Sequence, residues 1–448
     1  MAGKTAVISG WGRYPLQTCT LLRPERYAGL HLDAPSLIAR GLGRSYGDAA
    51  LNEGGDVLLT ERVNRMLEFD PVQGILRAEA GVTLAEILQI IVPQGWFLPV
   101  TPGTKFVSLG GCVAADVHGK NHHHDGSCGE HVLNIQLILA DGTRMDCSAS
   151  ENAEIFWATL GGMGLTGIIG EVTLKLQRIP GPHMRVRHVS ASDLGQLFQL
   201  LQDTAMDDRY SVAWIDSMAS GSNLGRGVLM SGHHATRDEM AGLREPSRKH
   251  ARSRILPFDM PAWVLNPLSI GAFNAAYHRS AGSKQDFFSS HDAFFYPLDM
   301  IGQWNRLYGK RGFVQYQCVI PTANAFDGVQ ALLQVLVHSR RPSFLAVLKR
   351  FGAQGRGLLS FPMEGYKLAL DMPVRDAGLF ALLDELDAIV LGYGGRVYLA
   401  KDARLSAESF RAMYPRYEEW LKIKHAIDPQ NKFSSSMARR LGIGGCAR

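Results

Sequence analysis

Alternation and helical spacing cut this sequence into short elements. Residues 36–39 (SLIA), 57–59 and 75–78 are brief apolar runs that read as strands. Thr83-Leu84-Ala85-Glu86 is a capping box, in which the two side chains take up backbone N–H groups left free at a helix start. Leu84, Ile87, Leu88 and Ile91 then share one helical face, and Pro93 and Gly95 end it. Residues 132–139 (VLNIQLIL) alternate as a strand that turns at Asp141-Gly142. A short helix over 154–160 leads through a glycine loop to a strand at 170–176. Further on, the pattern predicts strands at 210–216, 227–231, 313–320, 344–351 and 367–371, with helices at 325–339 and 378–391. A turn and strand at 394–402 precede a helix near 414–425 and a stop at Asp428-Pro429. Strands and intervening helices without an internal repeat predict an α+β second domain around an antiparallel sheet.

Three glycine-dense loops interrupt this pattern. The longest, residues 101–132, holds six glycines and five histidines between a helix and a strand. Backbone so poor in side chains suits close approach to something other than protein. Ala39 leads into Arg40-Gly41-Leu42-Gly43-Arg44-Ser45-Tyr46-Gly47-Asp48 and Ala49. This loop has the composition of a dinucleotide-binding fingerprint but not its spacing, and no amphipathic helix follows, so a Rossmann reading fails. Taken alone, a plain tight hairpin explains it equally well. The third loop runs from Gly161 to Ile169.

Composition narrows the class. A chain of 448 residues is long for one core, and 46% apolar with 20% charged residues is ordinary for a soluble globular protein. The net charge of +5 suits a phosphate-bearing substrate or an anionic surface and does not indicate nucleic acid. The N-terminus lacks a signal-peptide core and no window offers a membrane-spanning apolar run, which predicts a cytoplasmic protein. Six scattered cysteines without a CxxC pair read as reduced thiols. Residues 233–254 are polar and basic, with Arg244, Arg248, Lys249, Arg252 and Arg254, and residues 255–273 are apolar and broken by prolines. Two readings stand: a mobile surface loop beside an ordinary packed segment, or a basic and apolar lid resting on the inner face of the cell membrane.

Four long motifs, in order, carry a resemblance: GLGRSYGDAALN, PGTKFVSLGGCVAADVHGKNHH, FWATLGGMGLTGII and YLAKDARLSAESFRAMYP. Together they resemble the decaprenylphosphoryl-β-D-ribose 2-oxidase family, flavoproteins of the vanillyl-alcohol-oxidase superfamily. The resemblance spans nearly the whole chain. It implies FAD held by a PCMH-type, two-subdomain α+β domain, with a substrate domain inserted on an antiparallel sheet. The corresponding expectation is an FAD-binding domain at 1–180, a substrate-binding domain at 181–395 with a mobile basic loop near 233–280, and a returning segment at 396–448. By motif position, flavin contacts are expected from Ala39 through Ala49, from Gly103, from Ser108, Leu109, Gly110 and Gly111, from Ala115, Asp116, Val117 and His118, and from Ile169 and Tyr398. Some relatives attach the flavin covalently through a histidine in the first loop. Arg44 holds that place here, so noncovalent FAD is expected, with the Cys128 thiol as the one group able to upset this.

The resemblance further implies oxidation of a secondary hydroxyl of a polyprenyl-phosphate pentose, the first half of an epimerisation that a separate reductase completes. A soluble sugar-alcohol or aldonolactone oxidase of the same superfamily is the alternative, and a flavin-binding protein without turnover is a third. Lys401, an ordinary surface lysine on sequence alone, moves to the active site by family position. Removing a hydride from a carbinol carbon also requires loss of the hydroxyl proton, for which Lys401 and Tyr46 are both candidates, with His118 nearby. Lys120, Trp214, Gln315, Gln317, Lys349 and Lys401 match substrate-pocket positions; the two glutamines are two apart on a strand and share a face. His122-His123-His124 invites a metal, but adjacent histidines diverge and no carboxylate or cysteine stands at ligand spacing, so none is expected. The sequence departs from the mycobacterial pattern in three places: Lys367 stands for asparagine, Ala369 for cysteine and Phe295 for tyrosine.

Overall fold

The computed structural model describes residues 3–27, 32–241, 254–261, 263–282, 286–341 and 343–444. Three sheets carry most of the described chain. A four-stranded sheet takes the order Lys4–Ile8, Gln17–Leu22, Asp56–Leu59, Leu37–Arg40, with its first pair antiparallel and the others parallel. An antiparallel five-stranded sheet takes the order Met66–Asp70, Ile75–Glu79, Ile168–Lys175, Val132–Ile138, Arg144–Cys147. The predicted helix after Ile75–Glu79 is Leu84–Ile91, and both hydrogen bonds of its capping box form.

The predicted antiparallel sheet is present and has eight strands. Its order is Asp286–Ser290, His183–Ala191, Gly227–His234, Tyr210–Ile215, Ala346–Phe351, Gly365–Pro373, Phe313–Pro321, Arg396–Val397. One face is apolar: Tyr316, Cys318, Leu348, Leu368 and Leu370 are buried with side chains of the helices Leu194–Asp207, Ala325–His338 and Gly378–Gly392. Because successive strand residues alternate faces, Gln315, Gln317, Lys349, Lys367 and Asp371 turn the other way. That polar face floors the candidate site.

Several elements escaped the periodicity, among them the helix Leu194–Asp207 and the strands Lys4–Ile8, Gln17–Leu22, Met66–Asp70, His183–Ala191 and Asp286–Ser290, and two more have identifiable reasons. Pro267–Gly282 is a helix, although its sequence reads as proline-broken. Pro267 stands at the first helical position, where a missing N–H costs nothing, and the Asn266 Oδ1 accepts from the N–H groups of Leu268 and Ser269 at 2.8 and 3.1 Å. The short helix Leu109–Ala114 lies inside the glycine-rich stretch, capped by Ser108. A Cβ at Gly110 would come within 2.6 Å of the Ala80 Cβ, so glycine there lets the helix press against the five-stranded sheet's connection. Of the basic segment, 242–253 lies outside the described residues. Among the described residues no helix is long and apolar enough to cross a membrane.

Candidate active site

The three glycine loops converge. A Cβ at Gly41 would lie 2.0 Å from the Ser108 Oγ, bringing the first loop against the second. The third loop joins them through Met163 N–H to Ala114 O at 2.8 Å and Gly161 N–H to Val113 O at 3.2 Å. The first loop also meets the tail. Tyr46 N–H donates to Ala400 O at 3.0 Å, and a Cβ at Gly47 would stand 1.8 Å from the Asp402 carbonyl oxygen. These glycines are required by contact with protein. Gly103 differs: a Cβ there would meet nothing within 4 Å, and one at Gly111 only the Ser108 Oγ at 3.0 Å. Backbone with open space in front of it suits an extended, phosphate-bearing cofactor.

Side chains of several expected cofactor residues serve the protein, leaving their backbone for a ligand. Arg40 donates to the carbonyls of Ser9 and Ala50, and Asp48 is ion-paired with Arg440. The buried Asp116 carboxylate accepts from Ser127 Oγ at 2.8 Å, Ser360 Oγ at 2.6 Å and Gly129 N–H at 2.8 Å. The Tyr398 hydroxyl donates to Ala115 O at 2.8 Å, and Ile169 O accepts from Tyr27 at 3.4 Å. Arg44 lies over the Trp11 ring, 3.9 Å from its centroid. Cys128 is buried and its thiol pKa is pushed well up by burial, which keeps it a protonated, unreactive thiol.

The face of the eight-stranded sheet presents the polar residues to these loops. Asp371 is fully buried; its Oδ1 accepts from Gln315 Nε2 and its Oδ2 from the Tyr308 hydroxyl at 3.4 Å. Burial raises its pKa to about 6. The Lys401 amine sits over the Tyr46 ring, 3.7 Å from the centroid. Burial lowers its pKa to about 7, against the Asp371 carboxylate, which raises it, and with Lys349, which lowers it. Tyr46 is pushed the opposite way, well above a free tyrosine, by burial and then by Asp371. His118 lies 3.1 Å from Gln317 Nε2 through its own Nε2, among the rings of Phe351, Phe361 and Tyr398. Burial, then Lys349 and Lys367, hold it well below an ordinary histidine, so the ring is neutral.

Most sequence-predicted residues therefore meet in one place, and a few do not. Lys120 stands at the rim, on the aromatic wall, where it donates to Phe294 O and lies 4.0 Å from that ring's centroid; burial, and then the nearby Lys349, lower its pKa to about 7. Trp214 packs on Tyr277, centroids 4.8 Å apart, in a small cluster with Val228 and Ala281. The three adjacent histidines diverge as expected: His122 Nδ1 accepts from Gly352 N–H, His123 approaches Asp208 O, and His124 faces Asp125. Phe295 belongs to a buried ring cluster with Phe97, Tyr210 and Tyr296. Asp371 was missed by sequence reasoning. The available signal was its even spacing, two residues from Ala369 and four from Lys367, which puts all three on the face of Gln315 and Gln317.

An FAD-binding-domain family model matches residues 33–148, and a D-arabinono-1,4-lactone oxidase model matches residues 374–441. Over 98% of both chains, the sequence is 38% identical to the decaprenylphosphoryl-β-D-ribose oxidase of Mycolicibacterium smegmatis. The chain belongs to the decaprenylphosphoryl-β-D-ribose oxidase family. It is also 30% identical to the L-gulonolactone oxidase of Mus musculus, over 90% of this chain and 88% of that one. As a member of this oxidase family, the protein is an FAD-binding oxidoreductase, and the matched region 33–148 holds the first two glycine loops. The open backbone at Gly103 and Gly111 fits that cofactor.

Proposed function

We propose that this chain oxidises a secondary hydroxyl of a polyprenyl-phosphate pentose to the 2′-keto sugar, the first half of an epimerisation that a separate keto-sugar reductase completes. The observation that carries this reading is the Lys401 amine, held over Tyr46 beside Asp371 with a pKa near 7. A neutral amine there accepts the hydroxyl proton, a role Tyr46 cannot take because burial keeps its own proton on. Tyr46 is then the platform beneath the amine. Gln317 and the neutral His118 offer donor and acceptor atoms to sugar hydroxyls, and Gln315 fixes the Asp371 carboxylate. The bound FAD would supply the acceptor for the hydride of the carbinol carbon. Ala39–Ala49, Gly103, Ser108–Gly111, Ala115–His118, Ile169 and Tyr398 hold it without a covalent bond, since Arg44 stands where a histidine would attach and Cys128 is an inert thiol.

Support for a lipid-linked substrate comes from the surface. A cleft of about 580 Å³, lined by Met260, Pro261, Leu265 and Pro373 with Lys310 and Arg311, reaches Tyr308, whose hydroxyl donates to Asp371. Beside it Ile255, Phe258, Trp263, Leu268 and Phe273 are exposed, Leu268 at 85%. Apolar side chains with basic neighbours suit peripheral contact with an anionic membrane. In this reading residues 1–180 and 396–448 form a two-subdomain flavin domain, and 181–395 is the inserted substrate domain. The match of residues 374–441 to a lactone oxidase model favours the second reading, a soluble sugar-alcohol or aldonolactone oxidase. Anaerobic mixing separates them. Bleaching of the flavin by a prenyl-phospho-ribose supports the first, bleaching by free polyols or lactones alone replaces it with the second, and no bleaching by either refutes both.

A further inference from the structure

Lys367, one of the departures from the family pattern, faces Lys349 directly across neighbouring strands. Lys367 is 4% exposed, and neither amine has a hydrogen-bond or ion-pair partner among the described residues. Four residues along the same strand, the Asp371 carboxylate has its oxygens engaged by Gln315 and Tyr308. Like charges directly opposite on a sheet repel, and a buried ammonium without a partner is costly. His118 closes the same corner, close enough for Lys349 and Lys367 to depress its protonation, and its Nδ1 is buried without a partner. Lys349 itself is lowered to about 8 by burial, and Lys367 is held well below an ordinary lysine, first by burial and then by Lys349. The corner is built of donors that lack an acceptor.

We propose that Lys349 and Lys367 form an oxyanion subsite of the substrate pocket, which takes the phosphate or carboxylate group of the molecule oxidised beside Lys401. This deepens the oxidase reading and rests on its pocket. An entering oxyanion accepts from both amines and supplies the charge that lets both keep their protons. The charged groups around Lys367 on this face are Lys349, Lys401 and Asp371, with His118 across the corner and Cys318 on the far side of the sheet; Lys349 is faced in addition by Lys120 and His122. As pH falls through the neutral range the lysines gain protons and the Asp371 carboxylate begins to lose its charge, while His118 stays neutral; both changes favour an anion, so oxyanion binding tightens on acidification.

The test is titration of the FAD-loaded protein with inorganic phosphate, followed by perturbation of the flavin spectrum and by calorimetry, at pH 6.5 and 9.0. Lys367→Asn and Lys367→Gln, checked for unchanged FAD content, are expected to weaken phosphate binding by about tenfold to a hundredfold at pH 6.5. The affinity loss between the two pH values should be smaller in both variants than in the parent. Equal affinity in parent and variants, or no saturable phosphate binding, overturns the subsite. A short prenyl phosphate and a pentonate then distinguish the two sources of the oxyanion: displacement of phosphate by either supports the subsite, and displacement by neither overturns it. Failure of the oxidase reading looks different. Phosphate binding lost in Lys367→Asn while no lipid-linked pentose bleaches the flavin keeps the subsite and removes that substrate. Bleaching with unchanged phosphate affinity keeps the substrate and removes the subsite.

Discussion

Replacing Asp371 by asparagine should move the acid limb of flavin reduction to lower pH. The substitution keeps the shape of the side chain, and asparagine still offers an oxygen to Gln315 or Tyr308, so the local packing survives. What it removes is a negative charge that favours the protonated form of Lys401. In the parent protein this pair titrates with values near 6 and 7. An opposite charge at close range is worth roughly 1–3 pKa units, and about 1 unit is a cautious figure here, equal to about 1.4 kcal/mol. With the Lys401 value near 6 in place of 7, the neutral fraction at pH 6 rises from about a tenth to about a half.

The reductive half-reaction at pH 6 should therefore run about fivefold faster relative to its own plateau than in the parent. The two overlapping ionisations should also collapse to one. Anaerobic rapid mixing with substrate, repeated between pH 5 and 9, measures the limb directly. An acid limb that stays near 7 in Asp371→Asn would falsify the assignment of Lys401 as the group whose deprotonation limits the reaction. Reduction that is lost at every pH, with FAD content unchanged, would show that the carboxylate, and not the amine, takes the proton.

Lys401→Met should retain FAD while flavin reduction slows by about a hundredfold or more, the usual worth of a positioned base; near-parental rates with normal FAD content would remove its role. Acid precipitation should leave a colourless pellet and yellow supernatant, because Arg44 forms no histidyl link and the Cys128 thiol stays protonated; a yellow pellet means covalent flavin. Asp116→Ala leaves Ser127, Ser360 and the Gly129 N–H without their shared buried acceptor and should cost about 2–5 kcal/mol in urea denaturation. A loss under about 1 kcal/mol would show that the three donors find other partners or water.

What could be read in the sequence was set locally. The capping box at Thr83 and Glu86 needs only three residues' separation, and the strand over 313–320 advertises itself by alternation; both are found in place. Gln315 and Gln317 follow from the same period, since a strand that buries one face must present the other. The helix Pro267–Gly282 was hidden because a proline reads as a breaker unless its place at the first turn is recognised. Leu109–Ala114 was hidden because two of its six residues are glycine, weak helix formers, and tertiary contact with Ala80 overrides that preference. Asp371 and Lys401 lie thirty residues apart, and nothing local says that one sets the protonation of the other.

The two halves of the site obey different constraints. The glycine loops meet each other and the tail through contacts that tolerate no side chain, as at Gly41 against Ser108 and Gly47 against Asp402. A substitution there strikes protein before it strikes ligand, so the cofactor half changes only at the cost of the fold. The sheet face has no such coupling. Lys367 and Ala369 stand on a strand whose opposite face, through Leu368 and Leu370, already anchors it to the helical layer. Their side chains can therefore change what the pocket recognises while the strand, its register and Asp371 stay where they are. Exchanging Lys367 for asparagine should accordingly alter substrate preference and oxyanion affinity while FAD content and folding stability stay close to the parent. A variant that instead lost its flavin would show that the sheet face and the cofactor loops are one unit.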